Sequence, residues 1–251
     1  MAQVGIHALT GLVLGEALLS GSVPSRTRQR ALIFGYVLGN IVPDLDYLAA
    51  VGAYPVSHTL ALHLHRGFSH SLLAALALLV GFFVSSWLMD DPYLRYLGYG
   101  LAAGVATHMA LDIFVWFAPV DVFWPASEFG IIPPVNLWWW YNAPVLVGRL
   151  LGAFEFGAFG LYYDHLAKLA ISYRTDLDAV ASLERMATVC WITWAVLSAL
   201  SLDVKADTYD IWFYIPMGLI FMPSCLYLTW RCQATIEQVG LVGAPLGDDD
   251  E

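Results

Sequence analysis

Apolar stretches of membrane-spanning length recur along nearly the whole chain, near residues 4–20, 31–52, 71–89, 97–118, 143–163, 186–202 and 211–230. A hydrocarbon core of about 30 Å is crossed by roughly 20 apolar residues of helix, and in lipid only a helix or a closed barrel satisfies its own backbone. The pattern therefore predicts an all-α fold, a polytopic transmembrane helical bundle of about seven helices. The first stretch is short and the second is interrupted by Pro43, so either could be a partial span. With 59% hydrophobic and only 13% charged residues, an ordinary soluble domain is excluded. Residues 1–247 read as a single membrane-embedded domain, with a metal-site half of about 1–125 and a bundle-completing half of about 126–231. The net charge of −10 is weighted by the terminal Asp248, Asp249, Asp250 and Glu251, read as a disordered acidic tail rather than a partner signal.

Following the chain through seven crossings sorts the basic residues. Arg26, Arg28, Arg30, Arg95, Lys168, Arg174, Arg185 and Arg231 fall on one face; Arg66 and Lys205 fall on the other, and Arg149 lies inside a span. The positive-inside bias makes the first face cytoplasmic, with the amino terminus outside and the carboxyl terminus inside. No basic residue precedes the first apolar run, which also holds His7 and Glu16, so that run is expected to stay as a span and not to be cleaved as a signal peptide. The 11 basic residues form no dense patch, which argues against nucleic-acid binding. Cys190, Cys225 and Cys232 show no metal-ligand spacing and read as buried free thiols. Trp138, Trp139, Trp140 and Tyr141 read as an interfacial aromatic belt. Small-xxx-small spacings at Gly11 and Gly15, Gly35 and Gly39, and Gly100 and Gly104 predict close approach of helices one, two and four.

Polar and ionisable residues within so apolar a chain are costly and point to function, and one set of them is the informative one. They are His7; Asn40, Asp44 and Asp46 around Pro43; His63, His65 and His70 around Arg66, Gly67 and Ser69; and His108 with Asp112. The topology delivers all four segments to the outer face. His108 and Asp112, four apart, stand on one helix face, where an imidazole and a carboxylate can share an ion. Pro43 is expected to stop the second helix and leave Asp44 and Asp46 on an elbow, and Gly67 to let His65 and His70 turn inward. The expected metal ligands are His7, Asp44, Asp46, His65, His70, His108 and Asp112. Mixed nitrogen and oxygen donors suit a divalent ion, zinc first, with manganese or iron as alternatives. Such an ion lowers the pKa of its water and polarises a phosphoryl or carbonyl oxygen. Arg66 would hold a substrate anion, and Asp46, where it is not a ligand, would act as base.

Duller readings attach to each residue. His7 could simply tolerate a helix start, Asp44 and Asp46 could cap a short helix, Ser69 could cap the third span, and His108 with Asp112 could be helix glue worth about 1 kcal/mol. Arg149 and Glu155, six apart in the fifth span, fall on different faces; lining a wet cavity or snorkelling accounts for them without a catalytic role. Asp164 and His165 read as solvated at the cytoplasmic end.

His7, Pro43-Asp44-Leu45-Asp46, His65-Arg66-Gly67-Phe68-Ser69-His70-Ser71, Gly104-Val105-Ala106-Thr107-His108, Leu111-Asp112 and Pro125 together resemble the YdjM-type family of inner-membrane predicted metal-dependent hydrolases. The resemblance covers about the first half of the chain, and its specific part is the His-Arg-Gly-x-Ser-His-Ser element. It implies a prokaryotic, multi-pass inner-membrane protein with metal-dependent hydrolase activity. The spacing of His108 and Asp112 is also similar to a His and Asp pair in zinc-dependent phospholipase C, which by analogy suggests a phosphoester in a lipid or lipid-linked substrate. The runner-up expectation is a non-enzymatic membrane protein that transports or senses a cation or proton through the same cluster.

Overall fold

The structure, a computed structural model, describes residues 4–20, 22–23, 25–53, 67–115, 119–138, 144–202 and 208–241. Among them helices dominate, and the one β feature is an isolated antiparallel bridge between Val120 and Val135. Helix α1 (Val4–Leu14) runs on through a π turn (Gly15–Leu19), and α2 (Arg26–Ile41) leads through a 3-10 turn (Val42–Leu45) into α3 (Asp46–Ala53). Next come α4 (Leu72–Met89), α5 (Pro92–Val115), α6 (Val145–Tyr173), α7 (Leu177–Ser201) and α8 (Thr208–Pro216), which passes through a π turn (Met217–Phe221) into α9 (Met222–Arg231). A short α10 (Gln233–Val239), which hydropathy alone does not announce, closes the described chain.

Among the described residues, six stretches are long and apolar enough to cross a membrane: Arg26–Ala49, Leu72–Met89, Pro92–Val115, Val145–Tyr173, Leu177–Ser201 and Trp212–Arg231. Val4–Leu19 is apolar but shorter. The helical membrane bundle read from the sequence is thus the observed fold, with two corrections. Pro43 does not stop the second helix. It occupies the first turn of the 3-10 segment, where a proline's missing N–H costs nothing, so the chain tightens and continues into α3. The fifth and sixth spans are also longer than hydropathy suggests, and meet at a tight turn where Arg174 (φ 56°) and Asp176 (φ 47°) adopt left-handed backbone. Asp164 therefore lies within α6 and accepts a hydrogen bond from Trp191 Nε1 at 3.0 Å instead of being merely solvated, and His165 stands 3.4 Å from Glu16.

Apolar burial gives little net drive for helix association inside lipid, so close approach has to come from small side chains. The α2–α5 crossing follows that rule. A Cβ on Gly39 would lie 2.3 Å from the Leu101 carbonyl oxygen, and one on Gly100 would lie 2.1 Å from that of Leu32. Only bare backbone fits, and the crossing fixes the height of Asn40 on α2 against His108 on α5. On the other side of α2 the core is aromatic: Phe156, Phe159, Tyr162 and Tyr163 of α6 pack with Phe213 and Phe221. Cys190, Cys225 and Cys232 are buried free thiols, as expected.

The loop between α5 and α6 folds back over the start of α4. Leu72 N–H donates to Val122 O at 2.9 Å, and Val120 and Val122 pack on Ala75, Val105 and Met109. Trp138 donates from Nε1 to Phe114 O at 3.0 Å; Trp139, Trp140 and Tyr141, the rest of the expected belt, lie outside the described residues.

Candidate metal centre

Four chain segments meet at one end of the bundle. α1 brings His7, the 3-10 turn brings Asp44 with Asp46 just after it, a second 3-10 turn (Phe68–His70) brings His70, and α5 brings His108 and Asp112. His7, His70 and His108 are fully buried, Asp44 and Asp112 are 2% exposed, and Asp46 is 12% exposed. Local sequence explains the approach of His70. Ser71, not Ser69, caps α4: its Oγ accepts from Ala74 N–H at 3.1 Å and donates to Phe68 O at 2.6 Å. Helix α4 thus begins two residues after His70, past the Ser71 cap, and the imidazole faces α5.

The donor atoms converge. His70 Nε2 lies 3.0 Å from His108 Nε2, 3.4 Å from Asp44 Oδ1 and 3.5 Å from Asp112 Oδ2. His108 Nε2 lies 3.8 Å from each of the same two oxygens. Ligands about 2.0–2.2 Å from a common ion stand roughly 2.9–3.6 Å apart along the edges of its polyhedron, so these separations match a shared ion to within a few tenths of an ångström. Asp44, His70 and His108 form one group of atoms that could hold an ion, and His7, His108 and Asp112 form another.

Ring planes discriminate between the two groups. An ion sits near the plane of every imidazole that binds it. The rings of His70 and His108 cross at 66°, so their planes meet beside the two Nε2 atoms. The rings of His7 and His108 are stacked, 3.6 Å apart at 22°, so no nearby point lies in both planes. The geometry thus favours Asp44, His70, His108 and Asp112 around one ion, with His7 beside it.

The far sides of these side chains are held as well. His108 Nδ1–H donates to the Asn40 carbonyl at 2.8 Å, which leaves the lone pair on Nε2, facing the cluster. His70 Nδ1 faces Asp46 Oδ2 at 3.3 Å and Ser69 Oγ at 3.0 Å, and Ser69 Oγ in turn donates to Asp46. Burial presses the His70 imidazole down, but the Asp44 and Asp46 carboxylates outweigh it and hold it at about 9. His7 Nε2–H donates to Asp112 Oδ1 at 3.1 Å, turning Oδ2 toward His70. Among the described residues, Asp44 Oδ2 is buried with no hydrogen-bond partner. Two buried carboxylates with imidazole lone pairs beside them make a donor set that fits a divalent cation.

Of the residues singled out from the sequence, the fold gathers His7, Asp44, Asp46, His70, His108 and Asp112. Asp46 stands behind His70, on the Nδ1 side. Arg66, His65 and His63 lie outside the described residues. Sequence reasoning has no means of finding the Asn40 carbonyl, a backbone atom without a residue signature. Glu155 does carry a signal, a lone acid in an apolar span, and it proves fully buried, accepting from the Gly5 and Ile6 N–H groups.

No curated protein and no solved structure matches the chain. A family model described as YdjM inner membrane protein matches residues 1–202, carrying the likeness beyond the motifs of the first half through α6 and α7. This chain, with its buried His and Asp cluster among membrane-spanning helices, belongs to the YdjM inner membrane protein family.

Proposed function

We propose that the protein is a membrane-bound, metal-dependent hydrolase whose ion is held by Asp44, His70, His108 and Asp112. The observation that supports this most is the approach of the His70 and His108 Nε2 atoms to 3.0 Å, with the opposite nitrogen of each ring held by an oxygen of the chain. A divalent ion in such a place supplies Lewis acidity, activating water and polarising an ester oxygen. Four protein donors close a tetrahedral zinc site, so hydrolysis calls for a five- or six-coordinate ion: expanded zinc, manganese or iron.

The chain's own groups have distinct tasks in this reading. Asp46 orients His70 through Nδ1 and, as the least buried of the three carboxylates, is the one able to exchange a proton at the rim. His7 fixes the rotation of Asp112. Arg66, in the motif just before Gly67, is assigned to a substrate phosphate. The substrate is proposed to be a phosphoester of a lipid or lipid-linked molecule, because the centre lies at one end of a bundle otherwise surrounded by bilayer. By the excess of Lys and Arg at the opposite end, that end is cytoplasmic and the centre faces outward.

The test is the metal content of detergent-purified protein, followed by turnover of a phosphoester lipid panel with and without chelator. Near-stoichiometric metal with chelator-sensitive release of product supports the proposal. Protein that binds no metal on titration ends it, and metal-dependent cation or proton flux in proteoliposomes without turnover replaces it with transport or sensing.

A further inference from the structure

Among the described residues, Glu155 is the one buried carboxylate outside the metal centre, and its oxygens meet no basic side chain there. It lies in the middle of α6. Oε1 accepts from Gly5 N–H and Oε2 from Ile6 N–H, the latter at 3.3 Å. These are amides of the first turn of α1 that lack partners within the helix, in a turn with no acid of its own, so a carboxyl group from 150 residues away satisfies the helix start. The fit is tight: a Cβ on Gly5 would lie 2.7 Å from the Glu155 carbonyl oxygen and 2.9 Å from the Phe159 ring.

The next residue is His7. Its ring stacks on His108 at 3.6 Å and its Nε2–H holds Asp112 Oδ1 at 3.1 Å. Helix α1 is short, so a shift of its first turn moves His7 directly. We propose that Glu155 is a positioning residue for the metal centre: it anchors the first turn of α1 so that His7 holds the Asp112 carboxylate toward the ion. This rests on the metal reading above, and it gives the bundle-completing half of the chain a part in the site. A purely structural Glu155 would steady α1 against α6 without acting through His7.

Zinc titration in a competing chelator buffer, on full-length protein in detergent, separates the two. The variants are Glu155→Gln, Gly5→Ala, His7→Ala, and the pairs Glu155→Gln/His7→Ala and Gly5→Ala/His7→Ala. Glutamine keeps one acceptor but turns an NH2 toward a backbone N–H; the alanine at position 5 displaces α1 without touching a polar side chain. Groups that orient a ligand weaken metal binding by about 10- to 100-fold when lost. Each single variant is expected to weaken zinc binding by about ten-fold or more, and each pair to match His7→Ala within about two-fold. Wild-type affinity in Glu155→Gln, or a pair as weak as the product of its singles, overturns the inference. If Glu155→Gln does not fold, Gly5→Ala and its pair with His7→Ala decide between the two roles by the same criteria. Wild-type protein without zinc affinity removes the metal reading itself, and the relay with it.

Discussion

His70 and His108 reach each other from segments 38 residues apart and place their Nε2 atoms 3.0 Å from one another, with ring planes crossing at 66°. Each ring is held from behind, by Asp46 for one and the Asn40 carbonyl for the other. Two such preset donors should dominate the affinity of the site. Either His70→Ala or His108→Ala is expected to weaken metal binding by more than about 100-fold while the protein still elutes as a single species, which inductively coupled plasma analysis and size-exclusion chromatography would check together. Retention of full metal by both variants would contradict the ligand set.

Removing the ion should be felt as stability. Binding to the folded state alone stabilises by about 2.7 kcal/mol when the free ligand is a hundred times its Kd. Chelator is therefore expected to lower the melting temperature of the wild-type protein and to leave that of His108→Ala unmoved. A chelator effect of equal size in both would show that it acts elsewhere.

The carboxylate behind His70 gives a graded result. Asp46→Asn keeps an oxygen near Nδ1 but loses the charge, so metal affinity should fall by about 10- to 100-fold. Ser69→Ala, which removes only the hydroxyl that donates to Asp46, should cost less. If the order reverses in the titration, the hydroxyl rather than the carboxylate sets the ring.

The α2–α5 crossing separates glycines by their surroundings. Gly100→Ala puts a methyl 2.1 Å from the Leu32 carbonyl oxygen, a backbone atom that cannot swing aside. It should destabilise the fold by about 1–3 kcal/mol or more and loosen metal binding, because the same crossing sets Asn40 against His108. Gly81→Ala, in α4 with nothing within 4 Å, should be neutral or stabilising by up to about 1 kcal/mol. Thermal unfolding of the two variants side by side is the check.

The spans, the small-residue crossing and the gathering of His7, Asp44, Asp46, His70, His108 and Asp112 are legible in the sequence because hydropathy and topology act over whole segments. What escapes is finer. Pro43 reads as a stop, yet a proline in the first turn of a 3-10 segment breaks no hydrogen bond, and no periodicity distinguishes that case from a true end. His7 counts as a ligand by type, while the stacking of its ring on that of His108 at 22°, which the sequence does not show, favours the His70 and His108 pair as the shared donors. Glu155 has no partner at helical spacing along α6. Its partners are backbone amides of α1, invisible to any spacing rule within one helix.

Helix α4 spans 18 residues and turns Leu76, Val80, Phe83 and Trp87 outward, whereas its neighbour α5 runs for 24. At about 1.5 Å per residue the first covers about 27 Å and the second about 36 Å. A hydrocarbon layer of about 30 Å is thus slightly thicker than α4 is long, a mismatch that local thinning of the bilayer along that helix would absorb. Thinning at the end of α4 where the chain emerges from His70 would bring lipid headgroups nearer to the level of the metal centre on that flank.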